Sequence, residues 1–120
     1  MILADTSVWV DHLRRGERQL AELLEAGEVA CHPFIAGELA CGHLGNRAEL
    51  LAMLMALPAL PKAKDEEVLL FIERNGLWGR GLGLIDIHLL ASCLLAKAPL
   101  WTKDVRLAKV AKEMELEAHW

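Results

Sequence analysis

Four carboxylates that interrupt apolar stretches are the residues of this chain best suited to chemistry. They are Asp5, Glu38, Asp86 and Asp104. An ionised carboxylate among apolar side chains is costly unless something compensates its charge. If the fold gathers these four, their repulsion can be relieved by protonation, by Lys or Arg side chains, or by a hard divalent cation. The third arrangement would make a site for metal-assisted hydrolysis.

Ligand sets made only of oxygen favour Mg²⁺ or Mn²⁺ over zinc. Such an ion lowers the pKa of a bound water and holds a phosphodiester oxygen for in-line displacement, so no Ser-His-Asp arrangement and no covalent intermediate is needed. Each acid also has an ordinary interpretation. Asp86 can be a charge in the first turn of a helix, and Asp104 can be a helix cap. The pattern alone leaves both interpretations open.

The composition predicts a single cytoplasmic domain that buries an interface with a partner. The 120 residues, of which 54% are hydrophobic, predict a single domain over residues 1–120, and the mean hydropathy is +0.27. A domain of this size cannot bury so much apolar area alone, which predicts an interface with a partner. Three cysteines without CxxC spacing disfavour disulfides and zinc. Without a basic leader or a membrane-spanning apolar run, the chain is expected to be cytoplasmic.

The net charge neither favours nor excludes a nucleic-acid partner. Although it is −4, the acidic residues outside the set of four match the 13 Lys and Arg residues in number. A cation bound by the four acids would therefore leave the rest of the protein electrically balanced. Phosphates are attracted by Lys and Arg, so RNA and DNA both remain open as partners.

Short apolar strands alternate with helices along the chain. We expect strands at residues 2–4, 29–31, 57–60, 100–102 and 117–120, and helices at residues 6–14, 17–26, 33–45, 48–55, 65–74, 85–96 and 104–114. This alternation predicts a parallel sheet covered by helices on both faces. In such sheets ligands bind beyond the carboxyl ends of the strands. Asp5 and Asp104 each follow a strand and should lie at that edge, bordered by the helices that carry Glu38 and Asp86.

A glycine-rich segment, Gly79-Arg80-Gly81-Leu82-Gly83, precedes the third acid. It follows a helix rather than a strand, and its glycine spacing does not match a dinucleotide-binding turn. Arg80 and the neighbouring Trp78 are candidate contacts for RNA, by phosphate pairing and base stacking. A solvated loop arginine and a packed tryptophan are the ordinary alternatives.

These segments together resemble the PIN-domain family, and within it the VapC-type toxins of bacterial toxin–antitoxin systems. The likeness is carried by Asp5-Thr6-Ser7-Val8-Trp9-Val10-Asp11-His12-Leu13, by Gly37-Glu38-Leu39 with Gly42, by the glycine-rich segment continued through Leu84-Ile85-Asp86-Ile87-His88-Leu89-Leu90-Ala91-Ser92, and by Leu100-Trp101-Thr102-Lys103-Asp104-Val105-Arg106-Leu107. It covers almost the whole chain except residues 47–76. Leu84-Ile85 stands where an aromatic residue is common in the family.

The resemblance implies a three-layer α/β/α sandwich with a mainly parallel sheet of four to five strands. It also implies a metal-dependent endoribonuclease whose catalytic acids are Asp5, Glu38, Asp86 and Asp104. Asp5, Asp86 and Asp104 would bind Mg²⁺ or Mn²⁺, with Glu38 binding directly or through water. The hydroxyl groups of Thr6 or Ser7 and of Thr102 would orient these carboxylates. Members of the family act as homodimers and are inhibited by a cognate antitoxin, so Arg80 and Trp78 are possible contacts for this inhibitor as well as for RNA.

Three hypotheses about function follow. The leading one is an endoribonuclease toxin in which a metal-activated water hydrolyses RNA phosphodiester bonds. A non-catalytic module is the alternative, with the acidic cluster acting only as a docking site for RNA or protein. A DNA nuclease is also chemically allowed, because only contacts to the 2′-hydroxyl distinguish ribose from deoxyribose.

Overall fold

The computed structural model describes residues 1–119, and in this part of the chain a parallel sheet is flanked by helices. In chain order the elements are β1 Ile2–Ala4, α1 Thr6–Arg15, α2 Arg18–Glu25, β2 Val29–Ala30, α3 Pro33–Ala40, α4 Arg47–Ala56, α5 Asp65–Asn75, α6 Leu84–Ala96, β3 Leu100–Trp101 and α7 Val105–Glu113. The predicted α/β class with a parallel sheet is confirmed.

The three strands pair in the order β2-β1-β3, so the first strand of the chain lies in the centre. Leu3 is the central residue of the register, since it pairs with Ala30 on one side and with Leu100 on the other. All three strands run parallel, because helices provide each crossover between them. Their carboxyl ends therefore meet at one edge, where Asp5 follows β1 directly.

Residues 1–119 contain three strands rather than the four to five that the resemblance implied. The two missing strands are reduced to single parallel bridges at opposite edges, Cys31 with Ala59 and Leu100 with Glu117. Pro58 flanks Ala59 and has no N–H to donate, so the ladder cannot extend along that edge. The predicted edge strand at residues 117–120 is described only to residue 119, and Trp120 lies outside the described residues.

The helix predicted over residues 33–45 ends at Ala40. Its start is as expected, with Pro33 in the first turn, where a missing N–H costs nothing. Gly42 and Gly45 follow its end, and glycine has a low helix propensity because its backbone loses the most freedom on folding. Asn46 then adopts a left-handed conformation at φ 51° and directly precedes α4. The segment between α3 and α4 is therefore a turn beside Glu38.

The core lies around the central strand and α6. Ile2, Leu3 and Ala4 are all buried, as are seven consecutive residues of α6 from Ile87 to Cys93. Helices α1, α6 and α7 pack directly against the strands and thereby fix three of the four acids relative to the sheet. No helix within residues 1–119 is both long enough and apolar enough to cross a membrane.

Candidate active site

Asp5 is the most constrained of the four acids. It is only 7% exposed and caps α1 by accepting the backbone N–H of Thr6 on Oδ1 at 2.7 Å. Its Oδ2 accepts two hydroxyl groups, from Ser7 at 2.9 Å and from Thr102 at 2.6 Å. Three donors satisfy the hydrogen-bonding capacity that burial would otherwise leave unmet. Asp5 is therefore held rigidly at the carboxyl end of the central strand.

Glu38 is brought to Asp5 by the side chain of Thr6. The hydroxyl of Thr6 donates to Glu38 Oε1 at 2.7 Å, while the backbone N–H of the same residue donates to Asp5. Thr6 thus joins the first turn of α1 to α3, on which Glu38 is exposed to solvent. The prediction that α3 borders the sheet edge is confirmed by this bond.

Asp104 is linked to Asp5 through Thr102. The Thr102 hydroxyl donates to Asp5 and accepts the backbone N–H of Asp104 at 3.1 Å. Asp104 caps α7, because its Oδ1 accepts the N–H groups of Arg106 at 2.9 Å and of Leu107 at 3.1 Å. The ordinary interpretation of Asp104 as a helix cap is therefore correct. It does not conflict with a role in the acidic cluster, because both N–H groups donate to Oδ1 and neither donates to Oδ2.

Asp86 completes the group from the first turn of α6, of which it is the third residue, and its Oδ2 accepts the N–H of Gly83 at 3.0 Å. Partial burial is the main cause of the raised pKa of Asp86, and the Gly83 N–H opposes this shift. Negative charge on Asp5 and on Asp104 raises the pKa further. Charges act this way only at short range, so these three carboxylates share one electrostatic environment.

Basic side chains do not neutralise this environment. Within residues 1–119, none of the four acids forms an ion pair with Lys or Arg. Lys103 stands directly before Asp104 in sequence, yet its Nζ donates to Asp11 at 2.8 Å and Glu17 at 2.6 Å instead. Of the three ways to relieve the repulsion, protonation and a bound cation are left.

The residues fit a hard divalent cation by chemistry, because all the donors are carboxylate oxygens. Within residues 1–119, one oxygen each of Glu38, Asp86 and Asp104 has no hydrogen bond and is free to act as a ligand. In the same part of the chain, no three His, Cys, Asp or Glu side chains are placed to hold one ion as they stand. Side-chain movements would therefore have to accompany binding.

Two histidines near the acids have structural roles. His32 caps α3 and contacts Ser92, while His88, although only two residues after Asp86, is buried with its ring edge-on to Phe34 at a centroid distance of 4.7 Å. His88 Nδ1 is buried without a hydrogen-bond partner among the described residues. Neither histidine contacts the acidic group.

The two candidate RNA or inhibitor contacts are placed differently. Trp78 is 65% exposed, as a stacking contact requires, whereas Arg80 is paired with Glu113 through two hydrogen bonds. This pair and the Lys103 tether to Asp11 were missed by sequence reasoning. No local signal could have found either one, because Lys103 and Asp11 are 92 residues apart and Arg80 and Glu113 are 33 residues apart.

Comparison with known proteins places this arrangement in context. The sequence profile of the PIN domain matches residues 2–113. Two proteins called "Ribonuclease VapC32", from Mycobacterium tuberculosis strains CDC 1551 / Oshkosh and ATCC 25618 / H37Rv, are each 46% identical to the chain over 114 residues. The alignment covers 94% of this chain and 92% of each relative.

Proposed function

The chain belongs to the PIN-domain family and to its VapC-type toxins, and from this premise we propose that it is a Mg²⁺- or Mn²⁺-dependent endoribonuclease. The observation that carries the proposal is the electrostatic environment shared by Asp5, Asp86 and Asp104, which no Lys or Arg of residues 1–119 neutralises. The printed name of the two Mycobacterium tuberculosis relatives, a ribonuclease, gives the reaction class.

We assign the acids as follows. Asp5, Asp86 and Asp104 hold the cation, and Glu38 binds it directly or through a water. When bound, the cation lowers the pKa of a water and stabilises charge on the phosphate. The hydroxyls of Ser7 and Thr102 keep Asp5 Oδ2 in place, so the carboxylate does not need to be ordered during the reaction.

Hydrolysis by water has a defined product. Water attacks phosphorus, the bond to the 3′ oxygen breaks, and that oxygen leaves as a 3′-hydroxyl after taking a proton. The products are therefore a 5′-phosphate and a 3′-hydroxyl. Attack by the ribose 2′-hydroxyl would give a 2′,3′-cyclic phosphate instead, and neither His32 nor His88 is placed to be its general base, because both side chains are buried in contacts with Ser92 and Phe34.

We further propose the partners that the family implies. These are an RNA substrate, a cognate antitoxin that inhibits the enzyme, and a second copy of the chain in a homodimer, all in the cytoplasm. Support comes from large apolar side chains left on the surface, among them Met55, Leu69, Trp78, Leu84 and Val105, each more than 60% exposed. Trp78 is the residue that we propose to contact RNA or antitoxin, because its indole is accessible next to the loop that leads to Asp86.

The test is cleavage of total and defined RNAs by wild type and by Asp5→Asn, in Mg²⁺, in Mn²⁺ and in EDTA, after the antitoxin has been removed. Glu25→Gln is a matched control, because Glu25 ends α2 just before β2 begins and so lies at the opposite end of the sheet. We expect metal-dependent cleavage by wild type and control, a loss of at least about 100-fold in Asp5→Asn, and 5′-phosphate ends.

The alternatives give other outcomes. A binding module that uses the acids only for docking predicts no cleavage by any variant, with RNA or protein binding intact in wild type. A DNA nuclease predicts that single-stranded or duplex DNA is cut at least as fast as RNA. Cyclic phosphate ends would reject hydrolysis by metal-activated water.

A further inference from the structure

The loop that leads to Asp86 is tied to the far end of α7 by one ion pair. Arg80 donates from Nη1 to Glu113 Oε1 at 2.8 Å and from Nη2 to Oε2 at 2.7 Å. These two parallel bonds fix the planar guanidinium against the planar carboxylate, a geometry that Lys cannot reproduce. The hydrogen bonds of the pair raise the pKa of Arg80 and lower that of Glu113, so both stay charged over a wide pH range.

The same loop also contacts the beginning of α7. Gly81 has φ +77° and lies under the side chain of Arg106, where a Cβ would be 2.8 Å from Arg106 Cδ. Arg106 and Glu113 are seven residues apart on one helix, which is roughly 10 Å at 1.5 Å per residue. The Arg80–Glu113 pair is the strong restraint on the loop at one end of this span, and the exposed Arg106 side chain covers Gly81 at the other.

The helix that restrains the loop also carries the fourth acid. Asp104 caps α7, and Gly83, at the end of the loop, donates its N–H to Asp86. The ion pair therefore connects the backbone that orients Asp86 to the helix that orients Asp104. As they stand, no three potential metal ligands of residues 1–119 are placed to share an ion. The distance between the loop that orients Asp86 and the helix that carries Asp104 therefore matters for cation binding.

We propose that Arg80, through Glu113, is a positioning residue that sets the affinity of the carboxylate group for its divalent cation. This inference rests on the proposed function, and it assigns Arg80 a different role from direct contact with RNA. The two roles make opposite predictions for Glu113. If Arg80 positions the loop, removing either partner has the same effect. If Arg80 binds phosphate, removing Glu113 frees its charge and strengthens RNA binding.

The experiment compares wild type with Arg80→Met, Glu113→Gln and the double variant. Lys112→Met is the control, because it removes one positive charge from the last turn of α7 and Lys112 has no ion pair within residues 1–119. Mn²⁺ affinity is measured by calorimetry, and amide hydrogen exchange is followed over residues 81–87.

We expect both single variants to weaken Mn²⁺ binding about 3- to 10-fold, less than the loss typical for a group that touches a metal ligand directly. Exchange over residues 81–87 should accelerate by about the same factor, the double variant should be no worse than either single one, and Lys112→Met should match wild type.

Two results would overturn the inference. The first is that wild type binds Mn²⁺ and cleaves RNA, while the Mn²⁺ affinity and the amide exchange of Arg80→Met and Glu113→Gln equal those of Lys112→Met. The other is a raised KM for RNA in Arg80→Met with a lowered KM in Glu113→Gln, at constant Mn²⁺ affinity. Failure of the proposed function is distinct, because it would appear in wild type alone as absence of both metal binding and cleavage.

Discussion

Acidification should destabilise this protein through His32, the buried cap of the helix that carries Glu38. His32 is 1% exposed, and its Nδ1 accepts the backbone N–H of Phe34 at 3.0 Å. Because that N–H can only donate, Nδ1 carries no proton, and Nε2 must hold the ring proton and donate it to Ser92 Oγ at 3.0 Å. A second ring proton would replace the cap with a clash between two donors.

The size of the effect follows from the pKa of His32, which is lowered from 6.5 to about 4. Burial is the main cause, followed by the charges of His88 and Lys62. The unfolded chain binds a proton near pH 6.5 and the folded protein does not until near pH 4, so stability is fully present above 6.5 and is lost as the pH falls towards 4. Between pH 7 and pH 5 this linkage amounts to about 2 kcal/mol of unfolding free energy.

The assay is urea unfolding of wild type and His32→Asn at pH 7 and pH 5. Asparagine keeps a side-chain acceptor for the helix cap but does not titrate. Groups common to both proteins, including Asp86 with its raised pKa, cancel in the comparison. Wild type should therefore lose about 2 kcal/mol more than His32→Asn over this range.

A site-specific measurement accompanies the unfolding data. Long-range ¹H–¹⁵N spectra of the imidazole should show the Nε2–H tautomer at neutral pH. The reasoning would be refuted by titration of His32 near pH 6.5, by the Nδ1–H tautomer, or by an equal loss of stability in wild type and His32→Asn.

Two further predictions concern the loop and the hydroxyl cluster. Gly81→Ala and Gly79→Ala should each cost about 1 kcal/mol of unfolding free energy for their positive φ, because a Cβ meets only the movable end of the exposed Arg106 side chain at Gly81 and open space at Gly79; a cost at Gly81 that exceeds the cost at Gly79 by more than about 2 kcal/mol in urea unfolding would show that Arg106 is held in place. Thr102→Val should lower stability by about 1.5 to 3 kcal/mol by removing the charge-assisted bond to Asp5, while Thr102→Ser, which keeps the hydroxyl and loses the methyl group, should stay within about 0.5 kcal/mol; a Thr102→Val variant as stable as wild type in urea unfolding would show that the hydroxyl contributes nothing.

Local sequence features predicted the elements where one residue decides the geometry. Asp5 after an apolar triplet marked the end of β1 and the start of α1, and Pro33 marked the start of α3. The prediction was wrong where two local preferences compete, since the apolar run from residue 33 favours a helix while Gly42 and Gly45 end it. Edge strands were overestimated at Ala59, because pairing there depends on which neighbouring residues have an N–H to donate.

The sequence by itself determined the identity of the acids, their positions at the ends of strands and helices, and the parallel sheet that gives those ends a common edge. Only the tertiary structure decided how they are joined: Thr6 to Glu38, Thr102 to Asp5, and Arg80 to Glu113. Those partners are 32 to 97 residues apart. Chain order and periodicity specify which face a residue occupies, but a hydrogen bond of 2.6 to 2.8 Å depends on how helices pack against the sheet.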